Sequence, residues 1–352
     1  MKKYLLPVAL LMASFFANGQ DLKSIDINVK LNKFDQAKTE IDSYLANAKN
    51  AAKADGWYYK AYIYNSLGRV ATKPVAESKS LYQSAFDAIK KYAELDPKQA
   101  LTAEEKNSTI YNIYYGEYDL GIKTYNDNNY EESFDCFKKA LEIHDHIYSN
   151  KLAGPNNLNL SAHDTDVVWN LAIIANTLKK KDDAAVYYKR IADADLSEEK
   201  YATAYDELIL KYKREKNAEL FNKYLAAAKK HYPIDMPYWE NKEIEFALNG
   251  FEGEALLNKY EELIKALPNN YVVYYNYAVD IDKFLGTDAA KGKDATVYRN
   301  KIEELFKKAV SLKSTIEGNL QLANLYYSKT YDLQEQAAKI KGTKPAEVKV
   351  KN

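Results

Sequence analysis

One feature constrains this chain more than any other. A short pattern of small and large apolar residues, spaced three and four apart, keeps returning. After Asn129-Tyr130-Glu131-Glu132 it runs Ser133, Phe134, Phe137, Ala140, Leu141. After Lys181-Asp182-Asp183 it returns as Ala184, Tyr188 and Ile191, and after Lys216-Asn217 as Ala218, Phe221 and Leu225. Ala184 and Ala218 are 34 positions apart. Three- and four-residue steps put one apolar stripe on a helix. Repetition of such stripes along the chain points to helices stacked on one another, each sheltering its neighbour's apolar face. The 12 glycines and 8 prolines in 352 residues are too few for a many-turned β protein.

The repeat resembles the tetratricopeptide repeat, in which two antiparallel helices occupy 34 residues. That family's first helix carries Trp, Leu, Gly and Tyr at places 0, 3, 4 and 7. Its second carries Ala, Phe, Ala and Pro at places 0, 4, 7 and 12. Ala85, Ile89, Tyr92 and Pro97 match the second set, as do Leu256, Tyr260, Leu263 and Pro268; Phe306 and Ala309 fit a further copy. Leu120 and Gly121 supply one Leu-Gly of a first helix, Trp57, Ala61 and Tyr64 fit another, and Tyr274, Tyr277, Ala278 and Ile281 a third. Small residues let paired helices approach, large ones fill the space to the next pair, and Pro ends the second helix. The resemblance covers roughly residues 21–340. It implies an all-α solenoid of about seven antiparallel pairs, a right-handed superhelix closed by a capping helix at Glu317–Ala338. Residues 20–340 would form that repeat domain, opening with a pair at Leu22–Leu31 and Asp35–Ala48. Three stretches depart from the spacing and read as loops: Arg69–Lys79, Asn150–Ser161 and Gly286–Lys293.

The ends read differently. Lys2 and Lys3 precede an apolar run from Tyr4 to Phe16, and Ala17-Asn18-Gly19 then offers small residues before Gln20, the layout of an export signal over residues 1–19. Its apolar run of 13 residues is too short to span a bilayer as a helix. Residues 341–352, with four lysines and one proline, read as a disordered tail. The single Cys136 forbids an internal disulfide, and no Cys follows the apolar run to accept a lipid. Leader and overall style resemble exported proteins of Bacteroidota-type Gram-negative bacteria. Without a lipid-acceptor Cys or a β-rich sorting module, the reading leans to the periplasm over the cell exterior, with no stable membrane insertion after signal removal.

Nothing in the pattern points to catalysis or to a cofactor. Fifty basic residues balance fifty acidic ones, so no basic face for nucleic acid is indicated. His144 and His146 lie two apart on a helix, about 200° around its axis, and point to different faces. His163-Asp164-Thr165-Asp166 is the least poor candidate for a hydrolase or metal site, yet it reads better as a helix start. Cys136 sits among Phe134, Phe137 and Ala140 as a packed thiol. Acids elsewhere alternate with lysines, as on a solvated face. No cofactor, metal or catalytic residue is therefore assigned.

If the resemblance holds, the first helices line a concave binding surface. Its places two before, one after, five after and eight after the Trp position give Tyr58, Tyr62 and Asn65; then Tyr115, Tyr118, Ile122 and Tyr125; then Asp166, Trp169, Ile173 and Asn176. Further along they give Val272, Tyr275, Val279 and Asp282, and in the last helix Glu317, Leu320, Asn324 and Tyr327. Tyr, Trp and Asn suit peptide or glycan recognition, since rings give area and amides give direction. With 32 tyrosines in the chain, many of these rings have an equal claim to pack between helices. The expectation is a non-catalytic scaffold for a protein or peptide in the cell envelope. A glycan- or nutrient-binding component of an outer-membrane uptake system is the alternative.

Overall fold

The computed structural model describes residues 21–339, so the leader and the tail read from the sequence lie outside the described residues. Among these, every regular element is a helix. In chain order they are α1 (Leu22–Lys30), α2 (Phe34–Leu45), α3 (Ala48–Ala51), α4 (Ala54–Gly68), α5 (Val75–Leu95), α6 (Ala100–Glu104), α7 (Ser108–Asn126), α8 (Tyr130–Ser149), α9 (Thr165–Thr177) and α10 (Lys181–Asp193). There follow α11 (Ala202–Arg214), α12 (Ala218–His231), α13 (Met236–Leu248), α14 (Gly253–Ala266), α15 (Tyr271–Leu285), α16 (Ala295–Leu312) and α17 (Ile316–Lys339). The chain divides into two compact units, one ending at Leu196 and the other beginning at Ser197.

Short links fold consecutive helices back on each other as hairpins. In the first unit the pairs are α1–α2, α4–α5, α7–α8 and α9–α10; in the second, α11–α12, α13–α14 and α15–α16, with α17 lying alone on α16. Four hairpins turn the same way. Asn32, Asn128, Lys179 and Lys216 hold φ of 56°, 59°, 61° and 54°. The amide after each closes on a carbonyl five residues back: Lys33 to Asn28 at 2.9 Å, Asn129 to Thr124 at 2.8 Å, Lys180 to Ala175 at 2.8 Å and Asn217 to Tyr212 at 3.0 Å. This closure satisfies carbonyls that a helix end leaves unpaired and reverses the chain within a few residues. Asn129 and Asn217 then accept bonds from the backbone N–H of Glu132 and Leu220, which starts α8 and α12.

Each unit has its own core. Ala61, Ala85, Phe86, Tyr111, Phe137, Ala140, Leu171 and Ala172 are buried in the first. In the second, Tyr260, Tyr277, Ala278, Ile281, Ile302 and Phe306 pack together, with Tyr260 and Tyr277 stacked 5.0 Å apart. Small residues sit where helices press closest. At Gly121 a β-carbon would lie 3.0 Å from the Phe137 ring, which leaves no room for one without movement.

The three departures from the spacing behave differently. Of Arg69–Lys79, expected as a loop, Val75–Lys79 instead open α5, a helix of 21 residues preceded by Pro74. Proline's fixed φ prepares a helix start, so the extra residues lengthen the helix. Asn150–Ser161 is irregular and tied down: Tyr111 Oη donates to the carbonyls of Leu152 and Leu158, 2.9 Å each, inside the bend at Gly154. Gly286–Lys293 carries only a short 3-10 turn at Asp288–Ala290.

Candidate functional site

The first helices of neighbouring hairpins in the first unit leave a groove between α7 and α9, with α8 beneath. Ile122, Tyr125 and Asn126 of α7 face Trp169, Asn170, Ile173 and Ile174 of α9 across a space of about 350 Å³, with Phe137 at its base. No charged side chain lines it. Tyr125 is 39% exposed and meets Tyr130 edge-on at 5.3 Å. Trp169 is half-buried, with Tyr188 of α10 at 6.3 Å behind it. Tyr118 is half-buried and braced edge-on against Phe137 at 5.6 Å. Thus the rings at the groove have packed backs and open rims. That arrangement offers apolar area whose rotamers are already fixed, with two amides to orient a polar backbone.

Other expected lining residues fall elsewhere. In α4, Asn65 is only 3% exposed, and its Oδ1 accepts no hydrogen bond. Tyr58 lies 5.8 Å from Tyr92 of α5 and 6.5 Å from Tyr62, which in turn meets Phe34 of α2 at 6.4 Å. Burial raises the Tyr58 phenol well above the usual tyrosine range. These rings fill space between helices. Tyr115, 43% exposed, lines a separate cleft of about 360 Å³ with Arg69, Lys73, Tyr82, Asp119 and Lys123. Asn176 accepts a bond from Lys181 Nζ at 2.6 Å, across the α9–α10 turn.

In the second unit, Asp282 of α15, Arg299 of α16 and Asn324 of α17 rim a polar cleft of about 370 Å³ floored by Ile302 and Phe306. Tyr275 is half-buried, edge-on to Phe306 at 5.7 Å. Tyr327 stands clear of that cleft, 77% exposed. Asn126, Asn170, Arg299 and Gln321 also line these spaces, and the place-counting omitted them. Asn126, Asn170 and Gln321 each follow an expected lining residue by one position, so a wider window along those helices would have included them, whereas Arg299 lies on α16, outside the helices that were counted.

Groups considered for chemistry hold structural posts. Asp164 caps α9 by accepting from Val167 N–H at 3.2 Å, and it accepts from Tyr114 Oη at 2.7 Å. His163 is exposed. His144 is buried, with Nε2 3.1 Å from the Ser161 carbonyl and Nδ1 3.1 Å from Asp145. Burial holds His146 below its usual pKa and pushes the Cys136 thiol up to about 12. Among the described residues no three His, Cys, Asp or Glu are grouped so as to hold a metal ion, and no helix is long and apolar enough to cross a membrane.

No model of a known protein family matches this chain, and no curated protein matches it. Among solved structures it is similar to YrrB, described as a TPR protein with an unusual peptide-binding site. There the identity is 15%, over 81% of this chain and 97% of that one, with a TM-score of 0.19. It is similar also to the TPR domain of P58(IPK), at 10% identity over 88% of this chain and 98% of that one, with a TM-score of 0.21. Both are tetratricopeptide-repeat structures; no residue-level correspondence follows from either, and the hairpin architecture stands on this chain's own turns and cores.

Proposed function

We propose that this chain is a non-catalytic binding scaffold, exported to the cell envelope, whose α7–α9 groove holds a segment of a protein or peptide. The observation that supports it is the lining of that groove: rings and isoleucines with no charge, and the amides of Asn126 and Asn170 among them. Such a lining accepts apolar side chains and offers hydrogen bonds to the peptide backbone between them. A sugar would ask for a flat ring over an open polar floor; here isoleucines and Phe137 form the walls and base, which favours a peptide. Export to the periplasm belongs to the same reading and rests on the leader pattern of residues 1–19.

The test is selection of displayed peptides on the chain beginning at Gln20, with a glycan array beside it. Apolar peptides are expected to bind, and Trp169→Ala and Tyr125→Ala to weaken them at least about tenfold while leaving helicity unchanged. Binding indifferent to both substitutions would remove the groove from the proposal. Glycans retained in place of peptides would establish the alternative. Location is checked by N-terminal sequencing of the protein from fractionated cells, where a start at Gln20 in the periplasmic fraction is expected.

A further inference from the structure

The last helix shows a different kind of surface. α17 rests on α16 through Gly318, Leu322, Leu325 and Lys329, the last paired with Glu303. Its opposite face carries Ile316, Leu320, Tyr327 and Tyr331, exposed by 83%, 57%, 77% and 56%. With Asn324, these residues fall within about 80° of arc on the helix, a single stripe. Exposed apolar residues scattered singly are ordinary; a continuous stripe along one helix marks a contact surface.

The spacing of the stripe fits a second copy of itself. Ile316 and Leu320 are four apart, Leu320 and Tyr327 seven, Tyr327 and Tyr331 four. The order reads the same from either end, with its centre between Ala323 and Asn324. A second α17 laid antiparallel about that centre sets Ile316 on Tyr331 and Leu320 on Tyr327, an aliphatic residue against a ring at all four places. The charges bordering the stripe agree. Glu317, at the edge of the stripe, would face Thr330 and so meets no like charge. A parallel arrangement would set Glu317 on Glu317 and align the two helix dipoles. Four such side chains present roughly 500 Å² per chain, which lies at the small end for a specific interface.

We propose that this chain self-associates through α17, two copies meeting antiparallel about a two-fold axis between Ala323 and Asn324. Asn324 and Tyr327 then serve the contact between copies. The proposal is independent of the peptide groove, which lies in the other unit.

Sedimentation of the chain beginning at Gln20, between about 1 and 100 μM, should show a monomer–dimer equilibrium. Tyr327→Glu should abolish it, with circular dichroism unchanged because the residue is exposed. Val186→Glu, at an exposed apolar site on α10, should leave it intact. Orientation is read by disulfide formation, which is clean because the native Cys136 is fully buried. Leu320→Cys mixed with Tyr327→Cys should give mainly the mixed disulfide, and Asn324→Cys alone a homodisulfide near the axis. A monomer at every concentration, a dimer that survives Tyr327→Glu, or a homodisulfide of Leu320→Cys exceeding the mixed one would overturn the proposal. Peptide binding that persists in Tyr327→Glu would keep the two proposals separate.

Discussion

The Tyr114 hydroxyl on α7 donates to the Asp164 carboxylate at 2.7 Å, and the same carboxylate caps α9 through Val167 N–H at 3.2 Å. One side chain therefore starts α9 and ties that start to α7. The groove between Tyr125 and Trp169 depends on that tie, since its two walls belong to those two helices.

Replacing Asp164 with Ala should cost about 1–2 kcal/mol of folding stability, the loss of a cap together with a charge-assisted bond. Tyr114→Phe removes one of these bonds and should cost less. Urea unfolding of both variants measures the difference. Equal costs would show that the cap contributes nothing beyond the tie.

Gly116 on α7 meets Tyr82 of α5 so closely that a β-carbon would lie 2.6 Å from the tyrosine oxygen. Gly116→Ala forces the buried Tyr82 ring to shift and should destabilise by about 1–3 kcal/mol, beyond any gain from alanine's helix propensity. In a Tyr82→Leu background the same change should be nearly neutral. A double-mutant cycle reads this coupling, and additivity within about 0.5 kcal/mol would refute the contact.

Glu117, 1% exposed on α7, has an Oε2 with no hydrogen-bond partner, and burial raises its pKa to about 8. Between the unfolded carboxylate value and about 8 the folded chain holds a proton that the unfolded chain releases. Its contribution to stability therefore declines as pH rises through that window and levels off above it. Glu117→Gln should flatten this slope and stabilise the chain near pH 8, by an amount on the order of 2–4 kcal/mol. Thermal melts from pH 5 to about 8.5 follow it, and parallel profiles for the two proteins would contradict the assignment.

Much of the fold was legible in the chain. The Ala184, Tyr188, Ile191 stripe is buried on α10, and the Ala218 series buries Phe221 and Leu225 on α12. The opening pair and the last helix fall within a few residues of their expected limits. The expected lining places were less uniform. Tyr125 and Trp169 come together at one groove, whereas Asn65, on the same reasoning, is buried. The Trp place in α7, counted back from Leu120 and Gly121, holds Glu117, and nothing in its polar character announces that it lies inside.

Local spacing was enough to show where most helices run and which face of most turns inward, because an apolar residue every third or fourth place leaves a helix one way to shelter it. It did not determine the hairpin turns at Lys179 and Lys216, where lysine takes a left-handed conformation that it seldom adopts alone. Nor did it determine which tyrosines stay open. A ring's exposure depends on the helix set against it, as Tyr92 covers Tyr58 while Tyr125 keeps an open edge. That partner comes from a distant part of the chain, and only the packed tertiary structure supplies it.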